Sequence, residues 1–168
     1  MVIPIKSAAI GIIFNQNNTR ILLVKRKDIP IWVLPGGGID LHESPEEAVV
    51  REIKEETGMD VCIERKSAEY YPQNQLGAYT NVFVCKITGG EQSLSEETTD
   101  IGFYPINHYP PLFFEIHAIW IEDALKHSDL IRAPLKGVSY TQLVKYFLKH
   151  PLYVLRYILI RLKKSVKE

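Results

Sequence analysis

Residues 37–59 read GGIDLHESPEEAVVREIKEETGM, from Gly37 to Met59. A glycine loop and a short acidic turn lead into a segment that carries signals for both ends of a helix. Ser44 is a natural N-cap, Pro45 suits the first helical position, and Glu47 completes a Ser-x-x-Glu capping box. Gly58 stands where a C′ glycine stops a helix. Between these caps Glu52, Glu55 and Glu56 fall at i, i+3 and i+4, which predicts carboxylates converging on one face. Three like charges in one patch destabilise the fold unless a cation neutralises them, and clustered carboxylate oxygens suit hard ions such as Mg²⁺ or Mn²⁺. Val49, Val50, Ile53 and Thr57 form the opposite stripe, expected to face a sheet. Arg51, beside Glu52, can tether the carboxylate array, with Glu43 as its loop-side partner. A glutamate-rich helix is more often a solvated face, but that reading leaves Gly37, Glu43 and Gly58 unexplained.

The same run resembles the signature box of the Nudix hydrolases at every fixed position: Gly37, Glu43, Arg51, Glu52, Glu55, Glu56 and Gly58. Ile53 and Met59 are apolar where the family has apolar residues, and Leu34-Pro35-Gly36 looks like the usual lead-in. Seven specified residues at average usage match by chance about once in 10^8 starting points, which rules out accident. The resemblance implies an α/β/α sandwich with a mixed sheet, in which the box forms a loop–helix–loop that binds a divalent metal. It implies attack of water on a phosphorus of a diphosphate, releasing a nucleoside monophosphate and a second phosphorylated product. Glu52 and Glu56 are the implied metal ligands, with Glu55 as a third ligand or the holder of a metal-bound water, and the Gly36 carbonyl as a further donor. Glu52, Glu55 and Arg51 make up the implied catalytic set, and Gly37 and Gly38 let backbone come close to substrate. The Mg²⁺ or Mn²⁺ cofactor would polarise phosphoryl oxygens and lower the pKa of the attacking water. The base is expected from outside the box, and Glu96, Glu97 and Asp100 all remain candidates. ADP-ribose-like compounds and nucleoside triphosphates are the first substrates to try. The rival reading, a Nudix-fold module that binds a nucleotide without cleaving it, usually goes with an eroded box, whereas all three glutamates stand here.

Working outward, Ala8–Phe14 and Ile21–Lys25 are β-rich runs joined by Asn15–Thr19, which reads as a hairpin loop. Trp32–Leu34 is a short strand ended by Pro35 and three glycines. Val61–Glu64 and Ala68–Tyr71 read as two short strands, Pro72–Gly77 as a polar loop, Tyr79–Ile87 as a strong strand, and Gly89-Gly90 as a turn. Ile101–Tyr104 is a further strand, and Glu115–Lys126 carries a helical pattern. Arg26, before the glycine loop, can bind a substrate phosphate bidentately or be a plain surface arginine. Tyr79 can stack on a base, although an aromatic at a strand start is more often packing. Trp32 is assigned to the core rather than to base stacking, His42 to solvent and His117 to structure. Substrate identity is expected to reside in loops such as Pro72–Gly77 and Asn107–Phe114.

Across 168 residues, 46% apolar and 24% charged, the composition is that of a soluble globular protein. The formal net charge of zero gives no electrostatic case for nucleic-acid binding, and none is expected. From Thr141 onward seven cations face Glu168 alone, a net of +6, leaving −6 on residues 1–140. This divides the chain into a Nudix-like domain, 1–140, and a basic, apolar C-terminal helical extension, 141–168, read as two helices broken at His150-Pro151. A stripe of Leu152, Leu155, Leu159, Leu162 and Val166 suits docking on the domain, contact in a homodimer, or a membrane surface. Leu152–Ile160 is interrupted by Arg156 and too short to span a bilayer, and the N-terminal run reads as a strand rather than a signal peptide, so a cytoplasmic protein is expected. Cys62 and Cys85 are read as buried, reduced thiols.

Overall fold

The computed structural model describes residues 6–126 and 129–138. Its chain order is β1 (Ser7–Ile13), β2 (Arg20–Arg26), β3 (Trp32–Val33), β4 (Gly36–Gly38), α1 (Pro45–Thr57), β5 (Met59–Tyr71), β6 (Tyr79–Gly90), β7 (Thr98–Pro105), α2 (Ile116–Lys126) and β8 (Ile131–Pro134). Five strands make a mixed sheet in the order β4-β1-β6-β5-β8, and β3-β2-β7 make a second, antiparallel sheet. β1 runs parallel to β6 and antiparallel to β4. The strands β1 and β2 are buried on both faces, as their near-continuous apolar runs require. On β1, Ala9 and Ile13 join the core that includes Val49 and Ile53 of α1, while Ile10 and Ile12 join the core that includes Trp120 and Ile121 of α2. Leu22 and Val24 of β2 divide from Ile21 and Leu23 in the same way. Helices on opposite faces of a mixed sheet give the α/β/α sandwich that the sequence predicts.

Several local expectations need correction. β1 and β2 meet at the Asn15–Thr19 turn through a single bridge, Phe14 to Ile21, and then part into different sheets, so they are not a hairpin. The two short strands expected over 61–71 are one strand, kept continuous by bulges between Ile63 and Arg65 and between Lys66 and Ala68, which absorb the interruption in alternation. Gly89 and Gly90 do not turn the chain but extend β6 opposite Asp60 and Met59. Val50 is not on the sheet face: it is 37% exposed, and the buried stripe of α1 is Ala48, Val49, Ile53, Glu56 and Thr57. Cys85 is buried but Cys62 is exposed, and both are free thiols. β4 and β8 had no reading as strands, because glycines and a four-residue edge carry little β propensity. The extension 141–168 and the domain edge at 140 lie outside the described residues. Among the described residues no helix is long and apolar enough to cross a membrane.

Candidate active site

The α1 ends form as their sequence dictates. Ser44 accepts from the Glu47 amide, the Glu47 carboxylate returns to the Ser44 amide, and Gly58 caps the C-terminus at φ +74°. Caps of this kind are worth about 1 kcal/mol each and fix where the acidic residues begin and end. The glycine loop is then clamped onto the sheet. Gly36 pairs with Ile10 and Gly37 with Ala9, and the Gly11 amide donates to the Pro35 carbonyl at 2.9 Å. At Gly36, φ is +141° and a Cβ would stand 2.3 Å from the Ala9 carbonyl oxygen. At Gly37 a Cβ would stand 2.5 Å from the Glu52 carboxylate. Only glycines let the helix and loop approach this closely.

The three glutamates do not converge as a triad. Glu56 is buried, 7% exposed, and its Oε2 accepts from the Gly36 amide at 2.9 Å. Glu52 is largely covered, with 16% of its side chain exposed, whereas Glu55 is 59% exposed. The helix lies flat enough on the sheet for i+4 to turn under while i+3 stays outside. Burial pushes the Glu56 carboxyl up to about 7, against the pull of the Gly36 amide and with Glu52 adding repulsion. Burial also raises Glu52, partly offset by Arg51.

Arg51 is the hub of the outer side. Its guanidinium meets Glu43 twice, at 2.7 and 2.9 Å, Glu52 at 3.0 Å, Glu55 at 3.3 Å and the Gly38 carbonyl at 3.1 Å. The hydrogen bonds from Arg51 and the Asp40 amide hold Glu43 down to about 2. The tether expected between Arg51 and Glu43 is therefore present.

Of the acids outside the box, Glu97 lies within electrostatic reach of Glu52, Glu56 and Arg26. Its carbonyl accepts from the Lys27 amide at 2.9 Å, and the next residue, Thr98, donates its hydroxyl to the Glu56 carbonyl at 3.1 Å. Asp100 instead sits opposite Lys25 and accepts from the Ile101 amide; Glu96, Glu97 and Asp100 are all exposed. Arg26 lies within electrostatic reach of Glu56, and its fork is already engaged by Asp28 at 2.9 and 2.5 Å. Tyr79 is not brought to the glutamates: it stands opposite Ser7, and its hydroxyl donates to Glu69 of β5 at 3.2 Å. Trp32 is buried at 5% exposure, as expected. A cavity of about 630 Å³ lies on the other flank of α1, between Val50 and Lys54 and the β5 residues Val61 and Ile63; neither inward-turned glutamate lines it. We place the site by the desolvated carboxylates rather than by that cavity.

Among the described residues no three histidine, cysteine or acidic side chains form a complete metal cage. Two inward carboxylates short of a cage still fit Mg²⁺, which keeps several waters and takes one or two carboxylates plus substrate phosphate oxygens. The sequence model of the NUDIX domain matches residues 5–124. The chain belongs to the Nudix hydrolase family. An ADP-ribose pyrophosphatase from Methanocaldococcus jannaschii is 35% identical over 134 residues, 71% of this chain and 72% of that protein. A MutT-like protein from Streptomyces ambofaciens is 33% identical over 122 residues, 73% of this chain and 79% of that protein. The solved structure of an ADP-ribose pyrophosphatase from Streptococcus suis has a TM-score of 0.64 at 29% identity, covering 77% of this chain and 99% of that one.

Two features of this Nudix hydrolase had no functional reading in the sequence. Asp28 gave no signal beyond being an acid two residues after Arg26. His117 of α2 is buried and accepts the Leu34 amide on Nδ1 at 2.9 Å, 83 residues away in the chain. It stacks on Trp120, with ring centroids 4.5 Å apart, and burial pushes its pKa down to about 3, so it is a neutral acceptor at the entrance to the glycine loop.

Proposed function

We propose that this chain cleaves the pyrophosphate link of a nucleoside diphosphate derivative, with ADP-ribose-like compounds as the leading substrate class, and that it needs Mg²⁺ or Mn²⁺. The observation that carries this reading is the covered Glu52–Glu56 pair beside the glycine loop: Glu56 is buried with its carboxylate on the Gly36 amide, and Glu52 shares the one Arg51 guanidinium with Glu43 and Glu55. Glu52 and Glu56 are the residues that hold the cation, with Glu97 as the acid outside the box and the Gly36 carbonyl as a further donor. A divalent ion bound there supplies Lewis acidity to the diphosphate and acidifies water. Glu55, exposed and only loosely tied to Arg51, orients water at the rim. Arg51 acts by position: it holds Glu43, Glu52 and the Gly38 carbonyl in one network, which keeps Glu52 over Gly37. Gly37 and Gly38 leave the backbone open to the substrate, and Arg26 contributes a cation to the phosphates. Tyr79, with its hydroxyl on Glu69, plays no part in this reading.

The ADP-ribose pyrophosphatases among the relatives support the substrate class, and nucleoside triphosphates are the comparison set. A panel of both, with Mg²⁺, Mn²⁺ or EDTA and identification of both products, tests the proposal. AMP and ribose 5-phosphate from ADP-ribose, formed only with metal, is the expected result. Nucleotide binding without turnover across the panel would establish a binding module instead.

A further inference from the structure

The Arg26–Asp28 pair has a geometry that the simple picture of a phosphate-binding arginine does not use. Asp28 takes the Nε and Nη2 protons of Arg26 with its two carboxylate oxygens, at 2.9 and 2.5 Å. Oδ1 also accepts from the Ile29 amide at 2.7 Å, which locks the carboxylate in the turn. That turn is closed by the Arg26 amide on the Ile31 carbonyl at 3.0 Å and tied to the next strand by the Lys27 amide on Glu97. Guanidinium is a rigid fork with five protons; Asp28 occupies one edge and leaves Nη1 without a protein partner among the described residues. Arg26 stands opposite Thr98, whose hydroxyl donates to the Glu56 carbonyl, and its guanidinium lies within electrostatic reach of Glu56 and Glu97. The arginine side chain remains 41% exposed, accessible to a ligand.

We propose that Asp28 is a positioning residue that fixes the Arg26 guanidinium with its Nη1–Nη2 edge presented to the substrate diphosphate. The inference rests on the hydrolase reading above and on Arg26 as its phosphate contact. An arginine held this way does not have to be ordered when substrate arrives, so part of the entropic cost of binding is met in the folded protein. Removing Asp28 frees the side chain and exposes an uncompensated positive charge. The first change weakens binding and the second strengthens it, and the bidentate geometry makes the first the larger.

The test is a double-mutant cycle in the full chain with Mg²⁺ and ADP-ribose, with Arg26→Ala, Asp28→Ala and both together, and inorganic pyrophosphate as a competitive probe. Asp28→Ala is expected to raise KM and the inhibition constant for pyrophosphate about tenfold, with kcat within a factor of about three. Asp28→Glu should recover part of the loss, and Asp28→Ala should add nothing in the Arg26→Ala background, since its effect runs through Arg26. Unchanged or lowered KM in Asp28→Ala, with KM raised in Arg26→Ala, overturns the inference and leaves the hydrolase reading intact. Additive effects in a normally melting double variant also overturn it, making Asp28 merely a turn residue. No effect of Arg26→Ala removes the phosphate contact itself, and absence of turnover in the wild type removes the hydrolase reading.

Discussion

The two flanks of the α1 acidic face have opposite electrostatic designs. On the outer flank Arg51 draws Glu43, Glu55 and the Gly38 carbonyl into one network, and Glu43 is driven well below the usual carboxylate range. On the inner flank burial raises Glu52 and Glu56; Arg51 offsets this in part at Glu52, and Arg26, the cation acting on Glu56, is shared with Asp28. The outer flank is satisfied and supplies rigidity. The inner flank holds carboxylates that burial penalises, a penalty that a bound cation would reduce. One helix thus separates the groups that hold the site from the groups that need its ligand.

The sharpest way to break this contrast is Glu56→Gln. We expect turnover to fall by several orders of magnitude with the fold retained, because the amide preserves shape but not charge; wild-type turnover in this variant would end the assignment. The same variant tests the electrostatics without substrate. Burial pushes the folded carboxyl up to about 7, well above the ordinary carboxylate value it has in the unfolded chain. Between those values the folded state holds a proton that the unfolded state has lost, so metal-free stability falls as pH rises through that window and stays low above it. The penalty is roughly 3 kcal/mol. Melting in EDTA should therefore show the wild type losing ground to Glu56→Gln from about pH 5 to pH 8, whereas parallel curves would mean that Glu56 is not strained by burial.

Next in size is the contrast between two adjacent glycines. Gly36→Ala drives a Cβ against the Ala9 carbonyl at a left-handed φ, so it should cost roughly 2 kcal/mol or more of stability. Gly37→Ala meets only the movable Glu52 carboxylate and should cost about 1 kcal/mol or less. Its effect should appear in kcat, as Glu52 is pushed aside. Thermal melts and kinetics on the pair check this, and equal destabilisation would contradict it. Smaller again is the gain from metal alone: millimolar Mg²⁺ or Mn²⁺ should raise the wild-type melting temperature by a few degrees and that of Glu56→Gln by less. Least of all is Glu55→Gln, exposed on the satisfied flank, where we expect less than a tenfold loss of kcat.

The sequence made both ends of α1 and most of its buried stripe legible, because caps and spacing are local signals that tertiary packing reinforces. The layered fold followed from the resemblance carried by the same segment. What stayed hidden is non-local. Helical spacing places Glu52, Glu55 and Glu56 on one face but does not say how the helix rolls on the sheet, and that roll buries Glu56 and exposes Glu55. It likewise turns Val50 outward. Where Glu97 and Asp100 fall relative to Arg26 depends on the pairing of β2 with β7, including a bulge between Lys25 and Arg26, which no local pattern encodes. β4 is three glycines and becomes a strand because β1 offers it an edge. Tyr79, at the start of a strand, could be read as stacking on a base or as packing, and the structure puts its hydroxyl on Glu69.

The bond from the Leu34 amide to His117 gives the site a place in time as well as in space. The ribosome completes the signature at Met59, and its helix is able to cap itself at once from local residues. The lead-in to the glycine loop has no such local partner. Its acceptor is made 83 residues after Leu34, on a helix that also has to cover the far face of the sheet. A nascent chain ending short of α2 therefore carries the whole motif with the Leu34 amide still bonded to water and the lead-in to the glycine loop unclasped. The motif is early and its clasp is late.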